Sequence, residues 1–156
     1  RQRQMCIRDR IKKGAQFLNS VSNSTVPHLT IILGASYGAG TYAMSGRAFD
    51  NAFTFLWPTA KIAVMGPKQI AGVMSIVRRA RAARKGEKFD EKEDAAMVAF
   101  AEKWQEEGSL ALRATGAISD DGIIDPRDTR TVLGICLSLV NGRNIEGAPG
   151  YGVYRL

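Results

Sequence analysis

An α/β fold in which helices outweigh strands is what the 156-residue sequence predicts. Three observations carry this reading. A short run rich in Thr, Ile and Leu (residues 28–34, HLTIILG) stands immediately before a glycine-rich turn. Two further short apolar runs, FTFLW at 53–57 and KIAVM at 61–65, come after it. Most of the remaining chain carries apolar residues at helical rather than alternating spacing.

The elements run in chain order. Ala15, Phe17, Leu18 and Val21 recur at roughly helical spacing, which predicts a helix over 12–22, and Pro27 closes the connection to the next element. Residues 28–34 read as a buried strand. The glycine turn comes next, then a helix over about 38–47, then two short strands separated by Pro58-Thr59. Gly66-Pro67 opens a helix, proline being well placed in a first turn; it runs through Ile70, Val73, Met74 and Val77 into a basic stretch that ends near Gly86. A long helix is expected over about 90–115, with Ala96, Val98, Phe100, Ala101 and Trp104 inside it. Asp120-Asp121-Gly122 reads as a turn, with Ile123-Ile124 a short apolar piece. Asp125 is an N-cap with Pro126 at the first helical position, so a helix should cover about 126–142. The tail GAPGYGVYRL reads as irregular.

Size and composition narrow the function classes. The length suits one domain with a hydrophobic core, and 45% hydrophobic with 24% charged residues is the make-up of a soluble globular protein. The longest apolar runs fall far short of the ~20 residues of a membrane helix, and no secretory h-region is present. Two cysteines, Cys6 and Cys136, are too few for a disulfide framework and point to a reducing cytosol. With His28 as the single histidine, a zinc site of the usual N/S type is not expected. Of the net charge of +7, the opening RQRQMCIRDR, with four arginines against Asp9, supplies +3 and leaves +4 for the rest. That decamer has no apolar period, does not lead smoothly into the next helix, and resembles a translated sequencing-adapter scar. The sequence also lacks an initial Met, as a truncated reading frame would. Residues 1–10 are therefore read as foreign and 11–156 as the domain.

The turn Ser36-Tyr37-Gly38-Ala39-Gly40-Thr41-Tyr42-Ala43-Met44 contains G-A-G-T-Y-A, a match to the dinucleotide fingerprint G-x-G-x-x-G/A. A nicotinamide site also needs an acidic residue about 20 positions on, and Trp57-Pro58-Thr59-Ala60-Lys61 offers none. Gly34 and Gly38 could serve only a tight turn. Small side chains continuing through Ala39 and Gly40, however, keep bulk away from unpaired backbone N–H groups. That is the recipe for a site that stabilises developing negative charge.

Three longer stretches make the resemblance specific. GASYGAGTYAMSGRAFD, FLWPTAKIAVMGPKQIAGVM and DDGIIDPRDTRTVLG occur in this order. The chain resembles the C-terminal half of the carboxyltransferase (β) subunit of biotin-dependent acyl-CoA carboxylases, nearest in pattern to the methylcrotonyl-CoA branch, over about residues 11–156. The resemblance implies a crotonase-like (ClpP/crotonase) α/β fold. It implies a half-site in which biotin, held on a partner's carrier domain, delivers CO2 to an acyl-CoA enolate, with no metal in this half-reaction. By position, the backbone N–H groups of Ala39 and Gly40 would form the oxyanion hole, Gly38, Ala39 and Gly40 would meet biotin, and Tyr37, Thr41 and Tyr42 would line the acyl pocket, Tyr42 tuning acyl size. Packing is the competing reading of Tyr37 and Tyr42. Implied partners are a biotin carboxylase with its biotin carrier and other β subunits, the site lying between subunits. Neither nucleic acid nor a membrane is implied, and the compartment would be the cytoplasm, or the mitochondrial matrix in a eukaryote. Without an N-terminal half, the chain alone is expected to be inactive.

Three rival readings stay open. The carboxyltransferase subunit of a sodium-pumping acyl-CoA decarboxylase shares the superfamily. The basic run Arg78–Lys85 could serve a nucleic-acid-binding module, or dock a carrier domain. It lacks interleaved aromatics and is followed by Glu87, Asp90, Glu91, Glu93 and Asp94, so a solvated helix end is the plainer reading. A Rossmann oxidoreductase is the third. His28 reads as a packing or strand-edge residue, Cys136 as a small buried hydrophobe, and Trp57-Pro58 and the Asp125–Asp128 cluster as structural.

Overall fold

The computed structural model describes residues 2–142, 144–147 and 150, with side chains from Asp9 onward. The Cys6 side chain and most of the C-terminal glycine-rich tail, which the sequence marks as irregular, lie outside the described residues.

Helix α1 spans Gln2–Ser22 and runs without a break through the opening decamer. The expected discontinuity before residue 12 is thus corrected: Arg, Gln, Met, Ile and Lys are all serviceable helix formers, and no proline or glycine intervenes before Gly14. Strand β1 (Leu29–Ile32) pairs in parallel with β3 (Phe53–Leu56), Leu29 opposite Phe53 and Ile32 opposite Leu56. Strand β2 (Ala35–Tyr37) pairs in parallel with β4 (Lys61–Ala63). The three-residue β2 was hidden in the sequence between Gly34 and Gly38, too short to show an alternation. All four residues of β1 are half-buried rather than buried, so the expectation of a fully buried strand is also corrected.

The helix expected over 38–47 is a single turn, α2 (Gly40–Ala43). Ser45 turns left-handed at φ 58° and ends it, and a 3-10 turn, Arg47–Phe49, comes next. Helix α3 (Pro67–Lys85) starts after Gly66 and stops where Gly86 adopts φ 67°, as the glycine and proline signals predicted. The helix expected over 90–115 is two: α4 (Glu91–Gly108), capped by the Asp90 side chain, and α5 (Ala111–Gly116). The break falls where the Ser109 carbonyl accepts from Ile62 N–H at 2.8 Å and Leu110 bridges Lys61, so pairing with the β4 edge wins over helix continuation. Asp125 does cap the last helical segment, its carboxylate accepting from Arg127 N–H at 2.8 Å. The first three residues of that segment are a 3-10 turn, and α6 proper is Thr129–Asn141.

The core is small. Leu56, Ala60 and Ala111 are almost fully buried, and Ile32, Ile62, Ala114 and Ile123 pack on them. Residues 120–124 run beside β3 as a strand-like edge: Asp121 N–H reaches Thr54 O, Leu56 N–H reaches Gly122 O, and Ile124 N–H reaches Leu56 O. Cys136 is buried in α6, as expected of a small hydrophobe. The α3–α4 hairpin is stitched by ions. Asp94, 4% exposed, accepts from Ser75 and Arg78, while Arg78 also meets Glu93 and Arg79 meets Glu91 and covers the Phe89 ring. Arg78 and Arg79 of the basic run are thus paired with the acidic residues that come after it.

The chain exposes 11724 Å², whereas a compact monomer of this size exposes about 7700 Å². Large apolar side chains contribute, among them Ile76, Val77, Phe100 and Trp104 on α3 and α4, each at least 60% exposed. Such surface is what partner chains bury.

Candidate active site

The glycine turn joins β2 to α2 and lines part of a cleft of about 1120 Å³. Gly38 sits at φ 71°, where a side chain is strained, and a Cβ there would stand 3.4 Å from Val64 O. Its N–H donates to Ala63 O at 3.1 Å, which continues the β2–β4 ladder into the turn. Beyond it the chain folds back on itself: Thr41 N–H reaches Gly38 O, Tyr42 and Ala43 N–H reach Ala39 O, and Met44 N–H reaches Gly40 O. The N–H groups of Ala39 and Gly40 have no acceptor among the described hydrogen bonds, and both residues are exposed. Two adjacent free donors on a turn with almost no side-chain bulk can hold an oxyanion. Because α2 is one turn long, little of that effect comes from a helix dipole; the donors themselves supply it.

Of the residues singled out from the sequence, Gly38, Ala39, Thr41 and Tyr42 line the cleft. Gly40 is next to them in the turn without lining it. Tyr37 also stands outside the lining: it belongs to β2, and its ring lies against Gly66. Tyr42 is 48% exposed and meets Phe49 edge-on, ring centroids 6.2 Å apart. The Thr41 hydroxyl bonds the Ser36 hydroxyl at 2.8 Å, tying α2 back to β2.

The cleft also holds residues that sequence reasoning did not assign to it. His28, read as an edge residue, lines it and bonds Ser45 Oγ through Nδ1 at 2.8 Å and Ser24 Oγ through Nε2 at 3.1 Å. Arg47 lines it too and pairs with Asp121 at 2.8 Å. The Asp121 hydrogen bond, then its charge, raises the Arg47 pKa. Burial pushes the Asp121 carboxyl up, but the Arg47 hydrogen bond, the Thr54 N–H at 2.7 Å and the Arg47 charge together hold it below the usual carboxylate range. No local motif marks these residues, because Ser45 stands 17 positions from His28 and Asp121 stands 74 from Arg47. Among the described residues, no cluster of three or more His, Cys, Asp or Glu side chains is placed to hold a metal, and no helix is long and apolar enough to cross a membrane.

Residues 4–148 match the carboxyl transferase domain. The chain belongs to that family. A Mycobacterium tuberculosis protein named "Probable biotin-dependent acyl-coenzyme A carboxylase beta2 subunit" is 55% identical over 94% of this chain and 28% of its own length. The mitochondrial methylcrotonoyl-CoA carboxylase beta chain of Arabidopsis thaliana is 44% identical over 93% of this chain and 24% of its own. Among solved structures, the beta subunit of P. aeruginosa geranyl-CoA carboxylase superposes with a TM-score of 0.75 at 38% identity, over 92% of this chain and 27% of that one. The chain therefore spans about a quarter of the length of these relatives. The α/β fold is that of the carboxyltransferase β subunits, and the crotonase-like expectation holds. Membership in this family takes the place of the Rossmann and nucleic-acid readings of the turn and the basic run.

Proposed function

We propose that this chain is the biotin-facing part of a carboxyltransferase site, in a subunit that moves a carboxyl group onto an acyl-CoA through its enolate. The observation that carries this reading is the pair of unpaired N–H groups at Ala39 and Gly40, in a turn beside a cleft in a carboxyl transferase domain. Biotin, when bound, supplies the transferable carboxyl group. The residues present fit its ureido ring: Gly38 lets the backbone turn tightly, and Ala39 and Gly40 add no bulk that would hold a flat ligand away from their donors. In this reading the two N–H groups bind the ureido oxygen and stabilise negative charge developing there. A donor of this type is worth about 2.7–4 kcal/mol of barrier. No side chain of the turn has to move a proton.

Tyr42 and Thr41 then form the wall nearest the acyl group, with Tyr42 braced by Phe49. A methylene in such a pocket is worth ~1–3 kcal/mol, so Tyr42 would bias acyl size without fixing it absolutely. A methylcrotonyl-like, branched or unsaturated acyl group is the substrate proposed, supported by the methylcrotonoyl-CoA carboxylase beta chains among the relatives. A methylmalonyl-CoA decarboxylase subunit alpha, the analogue of the reverse reaction, is less similar at 31% identity. A biotin-carrying partner and further copies of the subunit would cover the excess apolar surface, and the cleft would be completed by chain that these 156 residues do not contain. The purified 156-residue chain, given carboxybiotin and methylcrotonyl-CoA, should therefore form no carboxylated product, whereas the complete subunit with its partner should. Turnover by the isolated chain would overturn the shared-site reading.

A further inference from the structure

We infer that Ser45 and His28 are positioning residues that fix α2, and with it the two oxyanion donors; the inference rests on the carboxyltransferase reading. A helix of one turn cannot hold its own orientation, since nucleation costs more than its few hydrogen bonds return. Something outside must hold it. On the β2 side that is the Gly38–Ala63 hydrogen bond and the Ser36–Thr41 hydroxyl pair.

On the other side α1 packs on α2, Phe49 meets Tyr42 edge-on, and the backbone just past α2 is fixed at Ser45. Ser45 is only 8% exposed and stands at φ 58°, a left-handed conformation that is unfavourable for a non-glycine residue. Three contacts keep it there. Its N–H donates to Tyr42 O at 3.0 Å, its carbonyl accepts from Thr30 Oγ1 at 2.8 Å, and its hydroxyl bonds His28 Nδ1 at 2.8 Å. The next residue, Gly46, lies so close to α2 that an added Cβ would stand 2.6 Å from Thr41 O. His28 extends the clamp through Ser24, just beyond α1, so the chain entering β1 is tied to the chain leaving α2. Strain held at a buried serine by neighbours from β1 is the signature of a position under geometric demand.

The clamp does not depend on the charge of His28. Both ring nitrogens face hydroxyls, which donate or accept as needed, so either neutral tautomer and the doubly protonated ring are all satisfied.

Two isosteric variants separate a positioning role from simple packing. Asn places a polar atom where Nδ1 stands, so His28→Asn keeps the Ser45 bond; Gln mimics Nε2, so His28→Gln keeps only the Ser24 bond. Ser45→Ala has the same Cβ and hence the same backbone strain, and loses only Oγ. The assembled carboxylase carrying each variant would be read in two ways, by hydrogen–deuterium exchange across residues 36–46 and by steady-state carboxyl transfer. For Ser45→Ala and His28→Gln, exchange at 41–45 should rise about tenfold or more, and kcat should fall about tenfold with the acyl-CoA KM nearly unchanged. His28→Asn should remain near wild type in both. Unchanged exchange in Ser45→Ala and His28→Gln, or equal losses in His28→Asn and His28→Gln, would overturn the clamp. Faster exchange with unaltered kcat would uphold the clamp and instead sink the assignment of Ala39 and Gly40 as oxyanion donors. Should Ser45→Ala not fold, the His28 pair alone decides.

Discussion

Replacing Ala39 with proline removes one of the two proposed oxyanion donors with little other change. Ala39 has φ −63°, the value to which a proline ring locks the backbone. Its N–H has no acceptor among the described hydrogen bonds, so no internal bond is lost, and its carbonyl can still accept from Tyr42 and Ala43. Proline's fixed φ therefore suits position 39, and if its Cδ also fits against Gly38 at φ 71°, the fold should unfold no earlier than wild type. Activity should behave oppositely. Losing one preorganised donor costs about 2.7–4 kcal/mol of transition-state stabilisation, or roughly 10²–10³ in kcat. The assay is carboxyl transfer by the assembled enzyme, with thermal unfolding measured on the same preparation. A folded Ala39→Pro enzyme turning over within about threefold of wild type would refute the donor assignment, since a lost donor leaves no room for so small an effect.

The same geometry has other measurable consequences. Gly46→Ala forces a Cβ to 2.6 Å from Thr41 O, a backbone atom that cannot swing aside, so it should lower stability by about 1–3 kcal/mol in urea unfolding. Because Asp121 has its pKa held below that of an unfolded aspartate, about 3.9, its pairing with Arg47 and Thr54 stabilises the fold above that pH and is lost as the pH falls through the folded-state value. Asp121→Asn should accordingly flatten the acid limb of a stability–pH curve below about pH 4 while leaving its slope near neutrality unchanged.

Much of the fold was legible because its signals are local. Gly66-Pro67 and Gly86 bound α3, Asp90 caps α4, and Asp125-Pro126 starts the last helical segment, each through a backbone requirement carried by one or two residues. What escaped was decided by distant chain. The split between α4 and α5 arises because β4 recruits the Ser109 carbonyl from 47 positions away, and α2 ends early where Thr30 of β1 and His28 just before it bind the left-handed Ser45. The site divides in the same way. Gly38, Ala39 and Gly40 could be proposed from their small size in a strand-to-helix turn. His28, Ser45, Arg47 and Asp121 could not, since their roles exist only once β1, the turn after α2 and the 120–124 edge are brought together. Tyr37 belongs to β2, where side chains alternate between faces, and its ring lies against Gly66.

A crystal structure of the assembled enzyme with biotin bound would bring the proposed donors and their acceptor into a single view. The ureido oxygen should lie about 2.7–3.1 Å from the backbone nitrogens of both Ala39 and Gly40, with the ring against Gly38. Biotin seated elsewhere, or a ureido oxygen held by side chains while these two N–H groups face water, would contradict the assignment of this turn as the oxyanion site.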